Sequence, residues 1–301
     1  MDRCTVTRAS EHGTLVDPFR RIITHLRLSV TSRCNLTCPY CHKEGHEVQS
    51  GELSRDHITE VVQVCAARGI TTVKLTGGEP LLREDIVEII RDIATTPGIS
   101  EVSLTTNGVL LEKLAEPLKR AGLARVNIGC DSLSSSILAK NVKQIAKGLE
   151  VAKQLGFDPI KLNMVVLKGI NEHEIEPMIQ FTQQQGVILQ LIELIDTGSE
   201  FFRNHFVSLE EIERKLVGRA WKIETRRMQA RKQYYIKRGI VEVVRSLHNK
   251  DFCRNCNKIR VTSDGFFKPC LMREDNLVSI KKVGAEVGLH LAVEQRRPFY
   301  G

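Results

Sequence analysis

Aromatic residues make up only 5% of the 301-residue chain, and tryptophan occurs once, as Trp221. A core must then be built from Ile, Leu and Val, which the apolar fraction of 42% allows. No apolar run approaches the ~20 residues that a membrane-spanning helix needs, so no membrane span is expected. The segment from Met1 to Gly13 is polar and charged and lacks the apolar stretch of a secretory leader, which points to a cytoplasmic protein. Acidic residues are in deficit: 44 Lys and Arg face 36 Asp and Glu, a net charge of +8. Such a balance fits an anionic partner, whether nucleic acid, a membrane surface or a phosphorylated small molecule. It also fits a merely soluble surface, and charge alone does not choose.

Cysteine is plentiful. Nine are present, in a compartment where stable disulfides are rare. Six form two tight groups, Cys34, Cys38 and Cys41, then Cys253, Cys256 and Cys270, and such clustering argues for metal. Cys65 and Cys130 sit in apolar stretches and read as small core residues, while Cys4 stands alone.

From residue 24 to 195 strand-like runs alternate with helical patterns. Strands are expected over 24–30, 72–76, 101–105, 124–131, 160–167 and 187–194, and helices over 55–68, 84–95, 110–120, 134–155 and 172–185. Ser54 and Asn171 are placed to cap helices, and Gly69, Gly122, Gly156 and Gly186 to end them. Six βα units in order predict a parallel sheet with right-handed crossovers. Strands buried on both faces are nearly continuous in Val, Ile and Leu. Here Arg27 and Ser29, Lys74 and Thr76, Ser103 and Thr105, Arg125 and Asn127, and Lys161 and Asn163 alternate with apolar residues. A period of two sends each polar set to one face, which predicts a wet, cationic cavity suited to an anion. A sheet with one solvated face is the alternative.

Beyond residue 196 the pattern changes. Ser208 and Glu211 form a capping box for a helix to about residue 216, Lys237-Arg238-Gly239 suggests a hairpin turn, and so does Asp264-Gly265. Residues 1–195 are expected to form one domain and 196–301 an extension packed on it.

The first cysteine group, Cys34-Asn35-Leu36-Thr37-Cys38-Pro39-Tyr40-Cys41, follows the first strand and so lies at the carboxyl end of the sheet. Full ligation of a [4Fe–4S] cluster takes four cysteines, so three thiolates leave one iron open. Thr76-Gly77-Gly78-Glu79-Pro80 closes the second strand; its glycines permit close backbone approach to a ligand, and Glu79 is suited to accept from an ammonium. Zinc completed by His42 or His46 is the competing reading here. The second group again supplies three thiolates, with zinc completed by His248 as the alternative; a zinc ribbon would want two C-x2-C pairs.

The cysteine triplet with the Gly-Gly-Glu-Pro run resembles the radical S-adenosylmethionine (SAM) superfamily. With the second triplet, and with Leu26-Arg27-Leu28-Ser29, Leu104-Thr105-Thr106-Asn107-Gly108, Lys161-Leu162-Asn163 and Lys168-Gly169-Ile170-Asn171, the chain resembles the GTP 3',8-cyclases, archaeal members most nearly. This resemblance implies an incomplete six-stranded (β/α)6 TIM-like barrel closed by a C-terminal, cluster-binding extension. It implies two [4Fe–4S] clusters, on Cys34, Cys38 and Cys41 and on Cys253, Cys256 and Cys270, with SAM at the first and the GTP base at the second. It further implies that a 5'-deoxyadenosyl radical takes hydrogen from ribose C3' and that the sugar radical closes on guanine C8. The product would be (8S)-3',8-cyclo-7,8-dihydroguanosine 5'-triphosphate, an intermediate of molybdenum cofactor (molybdopterin) biosynthesis. No protein side chain is expected to be catalytic, since the cofactors carry the chemistry.

Matched position by position, the resemblance places Tyr40, Gly78, Glu79, Gly129 and Ile195 at SAM. It places Arg27, Lys74, Thr105, Lys161, Lys258, Ile259 and Arg260 at GTP. The chain departs from the family pattern at Gly129, where a serine is usual, at Ile195 in place of methionine, and at Lys74, Lys258 and Gln190 in place of arginine. It also ends in a single Gly301 rather than Gly-Gly. Lysine keeps the charge but loses the bidentate fork. Implied partners are an electron-donor reductase and the next enzyme of the pathway, with a homodimer allowed and neither membrane nor nucleic acid involved. Competing readings are a peptide or sulfatase maturase with an auxiliary cluster, and a zinc-bearing nucleic-acid-binding protein. The latter would use the basic, aromatic stretch from Arg226-Arg227 through Tyr234-Tyr235 to Lys237-Arg238, otherwise read as solvated hairpin residues.

Overall fold

The computed structural model describes residues 13–48, 51–134 and 142–300. In chain order its elements are β1 (His25–Ser29), α1 (Arg55–Ala67), β2 (Thr72–Thr76), α2 (Ile86–Thr95), β3 (Glu101–Thr106), α3 (Leu111–Arg120), β4 (Arg125–Gly129), α4 (Val142–Gln154), β5 (Lys161–Val166), α5 (Ile175–Gln185) and β6 (Ile188–Glu193). There follow α6 (Glu200–His205), α7 (Glu210–Arg219), β7 (Lys222–Thr225), β8 (Lys232–Ile236), β9 (Gly239–Val244), α8 (Lys250–Arg254), β10 (Lys258–Val261), β11 (Phe266–Lys268), β12 (Val278–Ser279), α9 (Ile280–Val283) and α10 (Ala285–Glu294). The six expected strands and their crossover helices are all present. Residues 135–141 of the expected fourth helix lie outside the described residues, as does Cys4.

Strands β1 to β6 run parallel in sequence order, the arrangement of a partial TIM-like barrel. The extension adds strands to both edges of the same sheet: β10 pairs with β1 in parallel, and β9 pairs with β6 in parallel. The hydrogen-bonded ladder stays open between β12 and β7. Loops bridge the opening instead, where Gln229 N donates to Asn255 O at 2.8 Å and Lys258 Nζ donates to Gln229 Oε1 at 3.0 Å.

Alternation along each strand sorts the side chains. Leu26 and Leu28, Val73 and Leu75, Val102 and Leu104, Val126 and Ile128, and Leu162 and Met164 are all buried in the core. The helices supply the opposing apolar stripe, for example Ile58, Val61, Val62 and Cys65 from α1 and Ile86, Ile89, Ile90 and Ile93 from α2. Cys65 and Cys130 are core residues, as composition suggested. The polar residues of the same strands face the other way, inward.

Local signals mostly hold. Ser54 caps α1 by accepting from His57 N, and Gly69, Gly122, Gly156 and Gly186 take left-handed φ at helix ends. Lys237 and Arg238 turn the β8–β9 hairpin, and Asp264-Gly265 turns β10 into β11. Two caps differ. Ser208 Oγ accepts from Glu210 N at 3.3 Å, and Glu211 pairs with Lys215, so no capping box forms. Asn171 is fully buried and caps nothing. Its amide accepts from Leu167 N at 2.7 Å and donates to Asp131 O and Val165 O at 2.7 and 2.9 Å, fastening the end of β5 to the loop after β4. Removing those bonds strands buried backbone groups. Asn171→Ala should therefore cost about 2–3 kcal/mol, read as a lower urea midpoint with unchanged slope; an unaltered midpoint would contradict the clasp.

Candidate active site

The inward polar residues line a lumen of about 230 Å³. Arg27 from β1, Lys74 from β2, Thr105 from β3, Arg125 and Asn127 from β4, and Lys161 and Asn163 from β5 face it, as the period-two pattern predicted, and His25 from β1 joins them. Cys253, Cys256 and Cys270 line the same lumen, together with Lys258 and Arg260 from β10. A neighbouring cavity of about 730 Å³ is lined by Cys34, Cys38, Cys41, Gly77 and Gly78. Arg27 and Arg260 belong to both walls. The two cysteine triplets thus line adjoining cavities that share Arg27 and Arg260.

The first triplet sits in a loop gripped from several sides. Gly78 N donates to Thr31 O at 2.9 Å and Glu79 N to Arg33 O at 2.8 Å. A Cβ on Gly77 would stand 2.4 Å from Thr31 O, and one on Gly78 would stand 2.3 Å from Arg33 O. The glycines are therefore required by contact with the cysteine loop itself. Tyr40 donates its hydroxyl to Asp131, and burial with that carboxylate pushes the phenol pKa upward, so it remains protonated. His46 bonds Asp264 at 3.0 Å, tying the loop to the β10–β11 turn.

The cationic wall is stabilised by two carboxylates that no spacing rule had flagged. Glu44 accepts from Arg27 at 2.7 Å, Arg260 at 3.2 Å and Thr76 Oγ1 at 3.0 Å. Burial would raise its pKa, but Arg27 and Arg260 outweigh that and hold it at about 2. Its backbone is left-handed, at φ 56°, between Lys43 at 46° and Gly45 at 67°. Glu242 on β9 is fully buried and accepts from Lys161 at 2.5 Å and Gln190 at 2.6 Å. A lone acid in the apolar run Gly239-Ile240-Val241-Glu242-Val243-Val244 was a visible signal; Glu44 had none. Among the described residues no carboxylate pairs with Lys74 in this way. Burial and the charges of Arg125, Arg27, Lys258 and Lys161 push its pKa well below the usual lysine value.

Not every expected contact residue faces a cavity. Gly78 lines the cavity beside the first triplet, and Ile195 lines the lumen. Tyr40, Glu79 and Gly129 line neither. Glu79 Oε1 accepts from Leu81 N and Thr106 Oγ1 and Oε2 from Asn107 N, at 2.6–3.0 Å, so its carboxylate shapes the loop. Ile259 is fully buried in the core, because on β10 it points opposite to Lys258 and Arg260. Its side chain therefore does not line the lumen. His25, which the motifs did not mark, is held by Thr24 Oγ1 at 2.8 Å, and burial with Lys258 lowers its pKa to about 4, so it is neutral in the lumen.

The donor sets suit iron–sulfur clusters. The eight cysteines among the described residues are all free thiols. Among these residues no group of three or more His, Cys, Asp and Glu side chains is arranged around a single metal ion. Each triplet lines a cavity, and three thiolates are the donor set that leaves one iron of a [4Fe–4S] cluster open. At the second triplet burial raises the Cys256 pKa, but Arg296 and Lys258 outweigh it and favour the ligating thiolate. Buried polar atoms without partners, including Arg27 Nε, Asn127 Oδ1 and Asn163 Oδ1, face the lumen and suit a polar ligand.

Residues 28–182 match the Radical SAM superfamily model and residues 187–288 the Molybdenum Cofactor Synthesis C model. A "Probable GTP 3',8-cyclase" of Methanosarcina acetivorans is 42% identical, with 96% of this chain and 91% of that protein covered. One of Pyrococcus horikoshii is 46% identical, with 88% and 89% covered. The chain belongs to the GTP 3',8-cyclase family. As a radical SAM enzyme of this family it works with SAM and with iron–sulfur clusters in both its parts. Among solved structures, Streptococcus suis SuiB bound to SAM shares the fold at a TM-score of 0.66 and 16% identity, over 94% of this chain and 66% of that one. The anSMEcpe enzyme with bound SAM does so at 0.61 and 16%, over 91% and 80%.

For a GTP 3',8-cyclase the titration of the lumen matters, and Lys161 contributes to it. Burial lowers its pKa to about 8, opposed by Glu242 and aided by Arg231 and Arg226. Between about 8 and its ordinary value of 10.5 the folded chain holds fewer protons than the unfolded one, so this group favours folding more as pH rises. Anion binding runs the other way, since the lumen loses a charge above pH 8. Tripolyphosphate affinity should fall more between pH 7 and 9 in the native protein than in Lys161→Gln, by calorimetric titration. Equal losses would contradict the assignment.

Proposed function

We propose that this chain converts GTP to its 3',8-cyclised dihydroguanosine triphosphate, the first committed chemistry of molybdopterin formation. The observation that carries the reading is the placement of two three-thiolate sets on either side of one cationic wall. Cys34, Cys38 and Cys41 would hold the cluster that binds SAM, beside Gly78, and Cys253, Cys256 and Cys270 the cluster that faces the guanine base. When bound to the first cluster, SAM supplies the 5'-deoxyadenosyl radical that the reaction needs.

The chain's own residues bind, orient and shield. Lys74, Thr105 and Lys161 line the side of the lumen suited to the polyphosphate, where charge-assisted bonds are strongest. Arg27 and Arg260 line the wall between the cavities, with Lys258 on its lumen side, so a nucleotide held by them would present its ribose toward SAM. Glu44 fixes two of these side chains before substrate arrives, which lowers the cost of ordering them. Burial of the lumen within a sheet and its helices keeps water from a reactive sugar radical.

In this reading residues 1–195 carry the SAM chemistry and 196–301 hold the second cluster. The exposed Cys34 and Cys41 mark where an electron-donor reductase would deliver its charge, in a reducing cytoplasm. The next enzyme of the pathway would take the product. Among the described residues no helix is long and apolar enough to cross a membrane.

Anaerobic reconstitution should yield brown protein with roughly eight irons, from two [4Fe–4S] clusters. With SAM, reductant and GTP it should form 5'-deoxyadenosine in a GTP-dependent manner. Colourless protein with one or two zincs would overturn the reading, as would 5'-deoxyadenosine formation indifferent to GTP. Lys161→Ala should weaken GTP binding while SAM still binds; equal loss of both would place Lys161 elsewhere.

A further inference from the structure

We infer that Arg226 and Arg231, carried on the turn between β7 and β8 and backed by Glu242, form the subsite for the terminal phosphates of the nucleotide. The inference deepens the GTP reading and rests on it.

The basic stretch from residue 226 to 238 reads in sequence as solvated hairpin, and the structure divides it. Arg227, Lys232, Lys237 and Arg238 are exposed, whereas Arg226 and Arg231 turn into the lumen wall. The turn that aims them has a fixed shape. Gln229 and Ala230 take left-handed conformations, at φ 59° and 48°, which side chains other than glycine rarely adopt. Gln229 is anchored through its N–H to Asn255, between Cys253 and Cys256, and through its side chain to Lys258. A strained turn tied to the second cysteine triplet places two guanidiniums at a set distance from that triplet.

Glu242 explains how they can stay there. Its carboxylate faces Arg231 at 2.8 Å and Arg226 at 3.3 Å, besides Lys161 at 2.5 Å, and accepts neutral bonds from Gln190 at 2.6 Å and Gln233 at 2.9 Å. One cation would neutralise a buried carboxylate. Three leave two positive charges over, in a place where unpaired charge is costly. The surplus faces the lumen, and Arg231 Nε is buried with no partner among the described residues. A group carrying about two negative charges and several acceptor oxygens satisfies that surplus, and a terminal phosphate is such a group. Strand β6 brings only the uncharged Gln190 to this point, so the guanidinium fork has to come from the hairpin. Glu242 is a positioning residue, holding both arginines in place without touching the nucleotide.

The test uses the holoprotein with both clusters, titrated anaerobically with GTP, guanosine and inorganic tripolyphosphate. Arg231→Gln keeps Lys161 and Arg226 on Glu242, and Arg231→Lys keeps the charge without the fork; cluster absorbance and melting temperature check that each variant is folded. Arg231→Gln should weaken GTP and tripolyphosphate roughly ten- to a hundredfold and leave guanosine and SAM unchanged. Arg231→Lys should fall between, and exposed Arg238→Gln should bind as the native protein. Native-like GTP binding by Arg231→Gln would overturn the subsite and leave the cyclase reading standing, and so would an equal loss of guanosine. If the native protein binds tripolyphosphate through Arg231 but not GTP, the nucleotide reading falls and the subsite remains.

Discussion

A lumen lined, among the described residues, by eleven Lys and Arg side chains and no Asp or Glu is the constraint around which this molecule is arranged. Like charges in a confined, partly dry space repel, and each loses hydration. The structure answers with acids placed behind the wall. Asp17 holds Arg21 and Arg296, Glu101 holds Arg125, Glu44 holds Arg27 and Arg260, and Glu242 holds Lys161 with Arg226 and Arg231. Each carboxylate braces side chains that still line the lumen. The residual positive charge is what an anionic substrate completes, so binding finishes a charge balance that folding leaves open.

The same acids join parts of the chain that are distant in sequence. Asp17 near the start meets Arg296 near the end, and Glu44 in the first cysteine loop meets Arg260 beside the second triplet. His46 and Asp264 repeat that connection in a buried pair. Breaking a buried pair by removing one partner typically costs about 3–5 kcal/mol, so these contacts help fix how the two cysteine groups face each other. Tyr40 with Asp131, and Gly77 and Gly78 against Thr31 and Arg33, set the loop on its other side. The fold thus positions the cysteines while leaving the thiols themselves free.

Much of this was legible before the structure. Period-two alternation found the lumen face from Arg27 to Asn163, because a strand has only two faces and the apolar one was evident. Cysteine spacing found both triplets. What escaped was anything dependent on loops and long-range pairing. Glu44 lies in a left-handed turn whose conformation no local pattern announces. Arg226 and Arg231 look like their exposed neighbours until the turn at Gln229 and Ala230 is seen. A motif names positions but not which way each side chain points: Glu79 bonds Leu81, Thr106 and Asn107, and the Ile259 side chain is buried. Ile259 was in fact readable by the same alternation that placed Lys258 and Arg260.

The most direct test of the account is anomalous diffraction at the iron edge from oxygen-free crystals of the reconstituted protein. The account predicts two four-iron centres, one bounded by Cys34, Cys38 and Cys41 and one by Cys253, Cys256 and Cys270, each with one iron lacking a protein ligand and both bordering the Arg27–Arg260 wall. A single centre, a centre with every iron bound by side chains, or two that open to opposite surfaces would contradict it.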